Sequence, residues 1–401
     1  MIGPGVAHDA PVVADGADPG LSHPRELPGT YRSWAGAEPL FSWEKKQPLP
    51  PDLITTGLPT DARPGALGQP NTQVVFAPHD LGYGAFAGVR AFAGLWLDSG
   101  QALGLEAGGF VLEDRGEGFG INSTSGGSPL LALRRLDPLD GPDAFVIAAP
   151  PVPGGKMGSY KGGIAVNTDS QFWGAEANLL HSLYWSRDFR LVALAGMRYL
   201  DLSESVGIAT DRAGRGTTPV TFLGKSFAPP AFDLTDDSFQ GRNQFYGGQM
   251  GLRGEYVFDR LFVSAGTTLA LGQTDEELNV LGVSALHASK PAVLQTAPGG
   301  LYALPSNSGW FRNSDFGAVP EVQVKGGLLI APWLRATVGY DLLYWTRVQR
   351  PGDQIDLTVD TRQVPTDPSY KAGTVAAFPR PMANRSDFWM QGVTFGLEFT
   401  Y

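Results

Sequence analysis

Five histidines and no cysteine leave little in this chain for nucleophilic or metal chemistry. His79 precedes Asp80, and a carboxylate beside an imidazole is what a hydrolytic base needs. An adjacent His-Asp pair is nevertheless far more often part of a turn. His181 lies in an alternating segment, on the wrong face for a Ser–His couple. The histidine spacing matches no metal-ligand pattern. "TDEEL" (274–278) and "DQIDLTVD" (353–360) are acidic stretches that could hold Ca²⁺ weakly, although solvated loops of this kind are far commoner. No glycine run sits at a strand–helix junction, so no phosphate loop is expected. These residues point to a protein that is not an enzyme, with no catalytic residue, metal or cofactor.

A second set of polar residues is more informative. Arg90, Arg198, Arg253, Lys325 and Arg335, with Glu106, Glu176, Glu255, Glu321, Asp341 and Glu398, each stand alone among small residues on one face of an extended segment. Rings of one sign would mark an ion-selective passage. Mixed charges removed from water are instead expected to pair. If Trp185 lies opposite Phe189 in a hairpin, Glu176 faces Arg198 on the next strand.

The elements that hold these charges read as strands. Apolar alternation picks out 37–46, 82–98, 104–112, 171–185, 189–202, 245–258, 261–272, 322–330, 334–345 and 388–401. Within pairs the connections are short, such as "DSGQ", "SRD", "DR" and "APW". Between pairs they are long: 47–82, 113–170, 203–240, 275–316 and 348–387, rich in Gly, Pro, Ser and Asp. Long structureless loops are uncommon in compact domains, yet here they fill every second connection. That asymmetry predicts an all-β, antiparallel up-and-down transmembrane β-barrel of ten strands (twelve is the alternative count), with short periplasmic turns and long extracellular loops.

The faces agree. In 334–345, Leu334, Ala336, Val338, Tyr340, Leu342 and Tyr344 oppose Arg335, Thr337, Gly339 and Asp341. The solvent face of a soluble sandwich would carry Lys and Glu in quantity, not Gly with an isolated Arg. Glycines on the charged face leave room inside a narrow cylinder for Arg, Phe and Trp from other strands. Trp173, Trp185, Tyr256, Tyr344 and Trp389, near strand ends, suit aromatic girdles at the two interfaces. His181 falls on the lipid face near a strand end, at headgroup depth, where its cost is small.

Composition fits. Among 401 residues are 53 glycines and 32 prolines, as in a turn-rich β protein. A net charge of −10 excludes a nucleic-acid footprint. No apolar run is long enough for a spanning helix. The start, "MIGPGVAHDAPVVADGADPG", lacks the basic and apolar regions of a secretory signal. Residues 1–36 read as a flexible leader and 37–401 as a single barrel domain.

The chain ends on "QGVTFGLEFTY", apolar at every second position. Thr394, Gly396, Phe399 and Tyr401 fit a polar–x–Gly–x–x–apolar–x–aromatic ending, which resembles the targeting signal of bacterial outer-membrane barrels. "PLPPDLITTG", "GALGQPNTQVVF", "GLWLDSGQALGLEAGGFVL", "FWGAEANLLHSL", "LAGMRYLDLSE" and "FWMQGVTFGLEF" resemble, from about Pro39 to the end, the bacterial family of putative beta-barrel porin, family seven. An unbroken first strand is expected there, and Pro39 interrupts it, as it would at a strand start or edge. The resemblance implies a porin-type barrel in the outer membrane of a Gram-negative-type envelope. Its partners would be outer-membrane lipid, the barrel-assembly machinery and surface-layer or other envelope proteins. It implies no substrate.

Strands about 4.8 Å apart and tilted by roughly 40° give ten of them a backbone radius near 10 Å. Side chains then leave a narrow passage at most. Two functions follow as expectations: a passive or narrow channel for ions and small solutes, or a largely plugged barrel whose long loops contact surface partners.

Overall fold

The computed structural model describes residues 31–76, 81–154, 157–289 and 292–401. His79, Asp80 and residues 1–30 of the expected leader lie outside them. Ten antiparallel strands close into a ring, here numbered β1 to β10: β1 Ser33–Glu44, β2 Phe86–Trp96, β3 Leu103–Leu112, β4 Tyr160–Trp185, β5 Phe189–Gly214, β6 Ala231–Phe258, β7 Leu261–Ser289, β8 Gly309–Ala331, β9 Leu334–Val348 and β10 Ser386–Thr400. Each pairs with the next. β10 returns to β1, with Trp34 opposite Thr400 and Glu44 opposite Met390. The chain's apolar last strand therefore closes the cylinder and removes the sheet edge.

β1 starts at Ser33 rather than at the expected Ala37, so the last residues assigned to the leader belong to the barrel. Pro39 sits inside β1 and not at its start. Having no N–H to give, it leaves a gap in the ladder to β10: Ala37 pairs with Leu397 and Leu40 with Thr394, and Glu38 and Pro39 are skipped without a register change.

The larger correction concerns length. Much of 203–240 and 275–316, expected as loops, is the continuation of β5, β6, β7 and β8. On β6 the outward positions from Tyr246 to Tyr256 include the exposed Met250 and Leu252. Above Tyr246 the outward side is polar at Gln244, Arg242, Gln240, Ser238 and Asp236, with Leu234 and Phe232 exposed at the far end of the strand, while Phe245 and Phe239 point inward. β7 changes in the same way, from Leu261–Leu271 outward to Gln273, Asp275 and Glu277 outward. Lipid contact thus ends about half-way up each long strand. The lower part matches a lipid-facing band about 25 Å tall, and the upper part stands in water.

The true loops fold inward over that upper part. Ile54–Thr56, Gln73–Phe76, Leu131–Asp137 and Gly141–Ala148 form a four-stranded sheet. Two 3₁₀ turns follow, Pro351–Gln354 and Thr361–Gln363. Leu53, Ile54, Phe76, Leu131 and Leu133 of the sheet, with Tyr302 from the connection before β8, pack against Val206, Ile208 and Phe239 of the wall, all buried. Within 113–170 the strands between 131 and 148 therefore belong to a cap and not to an open loop, while Arg115–Asn122 pairs with the upper part of β4 and 160–170 is β4 itself. Among the described residues no helix is long and apolar enough to cross a membrane.

Candidate functional site: the lumen

Alternation sends every second residue of each strand inward, and the barrel closes those residues into three stacked layers. The lowest, inside the lipid-facing band, is ionic. Arg198 Nη2 lies 2.6 Å from Glu176 Oε2 and 2.5 Å from Glu321 Oε2. Arg90 Nη1 lies 2.8 Å from Asp341 Oδ2, and Lys325 Nζ 2.6 Å from Glu38 Oε1. Arg253 grips Glu106 with both terminal nitrogens, at 3.0 and 2.7 Å. Arg335 reaches Glu255 at 3.1 Å and Glu398 at 3.8 Å. All eleven charges expected in the lumen point inward, and each of the five cations has a carboxylate partner. No ring of one sign forms. Charges in a low-dielectric interior stabilise only with partners in good geometry, and a narrow cylinder brings those partners across from opposite walls.

The Glu176–Arg198 pair forms, but not by the hairpin assumed. Trp185 pairs with Arg190, and a bulge near Leu191 restores the register by Val192, which pairs with Ser182. Above the bulge, Arg198 stands opposite Glu176.

The second layer is apolar and crosses the lumen. Phe86, Leu112, Phe172, Leu200, Phe245, Leu343, Trp345, Phe388 and Met390, from seven strands, pack into one cluster with at most 1% of each exposed. Phe172 is its hub, with ring centroids 5.0 Å from Phe388, 5.1 Å from Phe110 and 6.4 Å from Trp345. The indole of Trp345 donates to Thr274 Oγ1 at 3.1 Å. These side chains form a septum near the outer edge of the lipid-facing band.

The third layer fastens the cap. Arg350, fully buried, pairs with Glu204 and donates to the carbonyls of Lys46 and Lys45 at 2.8 and 3.0 Å. Asn243 exchanges two hydrogen bonds with the backbone of Gln349. Higher up, above the lipid band, the Asp237 carboxylate accepts from the N–H groups of Leu301, Tyr302 and Ala303 at 2.7–3.0 Å. Burial outweighs those donors and pushes its pKa up to about 7.

Sequence reasoning missed Glu38, Glu204, Asp237, Arg350 and Arg190. Glu38 was legible: it alternates with Leu40 and Ser42 on the inner face of β1. Arg350, Glu204 and Asp237 lie in stretches read as loops, where inward and outward had no meaning.

The remaining expected residues are placed as follows. Trp173, Tyr344 and Trp389 ring the outer edge of the lipid band, joined by Tyr199 and Tyr246, whose ring centroids are 5.0 Å apart. Trp185 and Tyr256 lie at the turn end. His181 points outward there and is exposed. Thr394 is buried in the lumen, Gly396 abuts Glu38, and Tyr401 is exposed. "TDEEL" is strand and not loop, with Thr274, Glu276 and Leu278 inward. Asp356 and Asp360 of "DQIDLTVD" accept backbone N–H groups of Thr358, Arg380 and Arg362 as turn caps. Among the described residues no group of side chains could hold a metal ion.

Residues 34–401 match the family model described as putative beta barrel porin-7. Among solved structures the chain is similar to the outer membrane protease OmpT from Escherichia coli, at 10% identity and a TM-score of 0.40, covering 93% of this chain and 98% of that one. It is also similar to a Pseudomonas aeruginosa FadL homologue, at 10% identity and a TM-score of 0.24, covering 92% and 90%. Likenesses this low carry no argument about a site. No curated protein matches.

Proposed function

The chain belongs to the putative beta barrel porin-7 family, and we propose that it works as a closed barrel of the outer membrane that presents a folded cap to the outside. One observation carries this reading: the septum of Phe172, Phe245, Trp345, Phe388 and their neighbours fills the lumen with apolar side chains at most 1% exposed. An ion crossing it would lose its hydration against a layer of apolar side chains, and apolar constrictions close by dewetting. The ion pairs below, which give Arg90, Arg198, Arg253, Lys325 and Arg335 each a carboxylate partner, support the same reading, because a conducting pore gains from unpaired field. The cap above, anchored by Arg350 and Asp237, is the part of the molecule that surface-layer or other envelope proteins would meet.

A narrow channel for ions and small solutes is the second reading. It is favoured by the polar, partly wet cavity of about 180 Å³ below the septum, and it needs the septum to move. Single-channel recording in a planar bilayer decides between them, after a heat-dependent gel shift has confirmed the folded barrel. The closed reading expects a silent bilayer. Discrete steps from the wild-type protein would overturn it.

A further inference from the structure

We propose that the outer wall of β6 and β7, above the membrane, is the face on which a second copy of this chain packs. Phe232 and Leu234 on β6, Leu281 and Val283 on β7, Leu294 on the short strand Ala292–Pro298 and Trp310 on β8 are all exposed there. Val283 pairs with Pro298 and His287 with Leu294, so the short strand widens the wall beyond β7. Trp310 pairs with Asn279, beside Leu281 on the same face. Phe232 pairs with His287 and stacks on it, with ring centroids 4.7 Å and planes 4° apart. The face is thus continuous sheet and not a fringe of loose side chains.

Lipid does not account for these residues. Tyr246 marks the outer edge of the lipid-facing band and pairs with Gln273. At ~3.3 Å per residue and a tilt of roughly 40°, Leu281 stands about 20 Å and Phe232 about 35 Å above that level. Headgroups add only about 5–8 Å to one leaflet. Between the two apolar zones lies a polar belt, Gln273, Asp275 and Glu277 on β7. The wall therefore turns polar where it meets water and then apolar again. Its inner side is already filled at this height, since Val220 and Phe222 of a small hairpin pack with Leu286, Ala288 and Ala297. The run from Val280 to Leu286 has buried apolar residues on one face and exposed ones on the other. That is the pattern of a sheet covered on both sides. Among the described residues only the inner cover is present.

The missing cover has a natural source. Two copies in one bilayer stand upright with their caps on the same side, so the two-fold axis relating them runs along the membrane normal. That axis turns this wall of one copy onto the same wall of the other at equal height, and apolar meets apolar. Sheets packed face to face lie about 10 Å apart with their side chains interleaved. The six residues expose on the order of 600 Å², the top of the range for a monomer's largest patch and close to the roughly 800 Å² each partner gives a stable interface. Polar groups rim the patch: Asp211 on β5 and Asp236 on β6 at one side, and the Arg312–Glu277 pair, 3.0 Å apart, below. An apolar centre with a polar rim is the anatomy of a protein interface. The inference does not depend on whether the lumen conducts, because an open and a closed barrel carry the same outer wall.

The test begins with the mass of the purified full-length chain in detergent, by sedimentation with the bound detergent subtracted. Two copies per particle are expected. Leu281→Glu with Val283→Glu sets like charges face to face and should halve that mass while the heat-dependent gel shift persists. If the two changes together abolish the shift, Leu294→Glu, at the most exposed position of the patch, takes their place. A monomeric wild type overturns the proposal, and so does a dimer that survives in a folded variant. The membrane supplies a second reading. The chain has no cysteine, so Leu281→Cys carries a single thiol. A short bis-maleimide should join two such chains in intact outer membranes at least tenfold faster than it joins Leu139→Cys, on an exposed turn of the cap. Equal rates, or a product with the mass of a different protein in place of twice the chain, would overturn it.

Discussion

Glu176 on β4 and Arg198 on β5 face each other across the sheet, with Oε2 and Nη2 2.6 Å apart, and the same guanidinium reaches Glu321 on β8. One cation thus ties neighbouring strands together and also bridges the lumen. Replacing Arg198 with Met should leave Glu176 and Glu321 without the cation that bridges them, Glu321 keeping only a longer contact to Arg90 at 3.7 Å. Losing one partner of a buried pair costs about 3–5 kcal/mol. A lower temperature for the heat-dependent gel shift would register it, and the double change Arg198→Met, Glu176→Gln should recover part of the loss. Full additivity of the two changes would show that they do not interact.

The cap should come apart separately from the barrel. Arg350 is the fully buried link between the extracellular segments and the wall, through Glu204 and the carbonyls of Lys45 and Lys46. Arg350→Met keeps the volume and removes every one of those bonds. Limited proteolysis should then cut within 351–385 at rates at least tenfold above wild type while the gel shift persists. Equal cutting rates in both proteins would contradict the anchoring role.

Asp237 gives the cap a pH dependence. Its pKa, raised by burial to about 7, lies above the value of an unfolded aspartate, so the folded state holds the proton more tightly. The stability it contributes is present below the unfolded pKa of ~3.9 and is lost as pH rises through about 7. A shift of this size corresponds to roughly 4 kcal/mol across that window. Neutral Asp237 can still accept through Oδ1 from Leu301, Tyr302 and Ala303, since all three reach that oxygen. Asp237→Asn should keep the loop in place and flatten the fall in cap stability between pH 5 and ~8. Hydrogen exchange at residues 301–303, compared at the two pH values, reads it directly. A slope unchanged in the variant would assign the titration elsewhere.

How much of this was legible can be judged on β6. Below Tyr246, the apolar Met250 and Leu252 point outward because lipid is the solvent. Above it, the apolar Phe245 and Phe239 point inward because water is. The strand runs on without a break while its hydrophobic phase reverses, so alternation located the ten crossings and then dissolved into an apparent loop. The lumen charges were visible because the lipid-facing half has one unambiguous dry face. The cap was not, since residues such as Leu131 and Tyr302 are buried by segments distant in sequence. The bulge near Leu191 was also invisible, though it left the pairing of Glu176 with Arg198 intact.

A glycine in the lower lumen makes room for an aromatic neighbour, and that room can be tested. Trp34 on β1 lies over Gly94 on β2, its cross-strand partner, and a methyl group there would come within 2.1 Å of the indole. The same indole donates to Glu106 Oε2 at 3.1 Å. Gly94→Val should displace Trp34, release that bond and cost about 1–3 kcal/mol by overpacking. Trp34→Ala in the same chain should relieve the strain. If Gly94→Val alone left the gel-shift temperature unchanged, the close approach would not constrain the barrel.

The septum offers the most direct test of how the molecule is closed. Trp345 is fully buried, packs on Phe245 and Phe172, and holds its place by a hydrogen bond to Thr274. Trp345→Ala should cost about 3–5 kcal/mol, which a closed barrel with a complete strand ladder can bear. It would also remove the largest apolar group in the layer and leave Thr274 facing the gap. A water file could then connect the ionic layer to the polar layer of Glu204 and Arg350 above. Trp345→Ala, and more strongly Trp345→Ala with Phe172→Ala, should turn a silent bilayer into one with small discrete steps. The mixed, paired charges beneath predict little choice between cations and anions. A double variant that folds and stays silent would move the closure from the septum to the cap, which among the described residues is the next barrier along the axis.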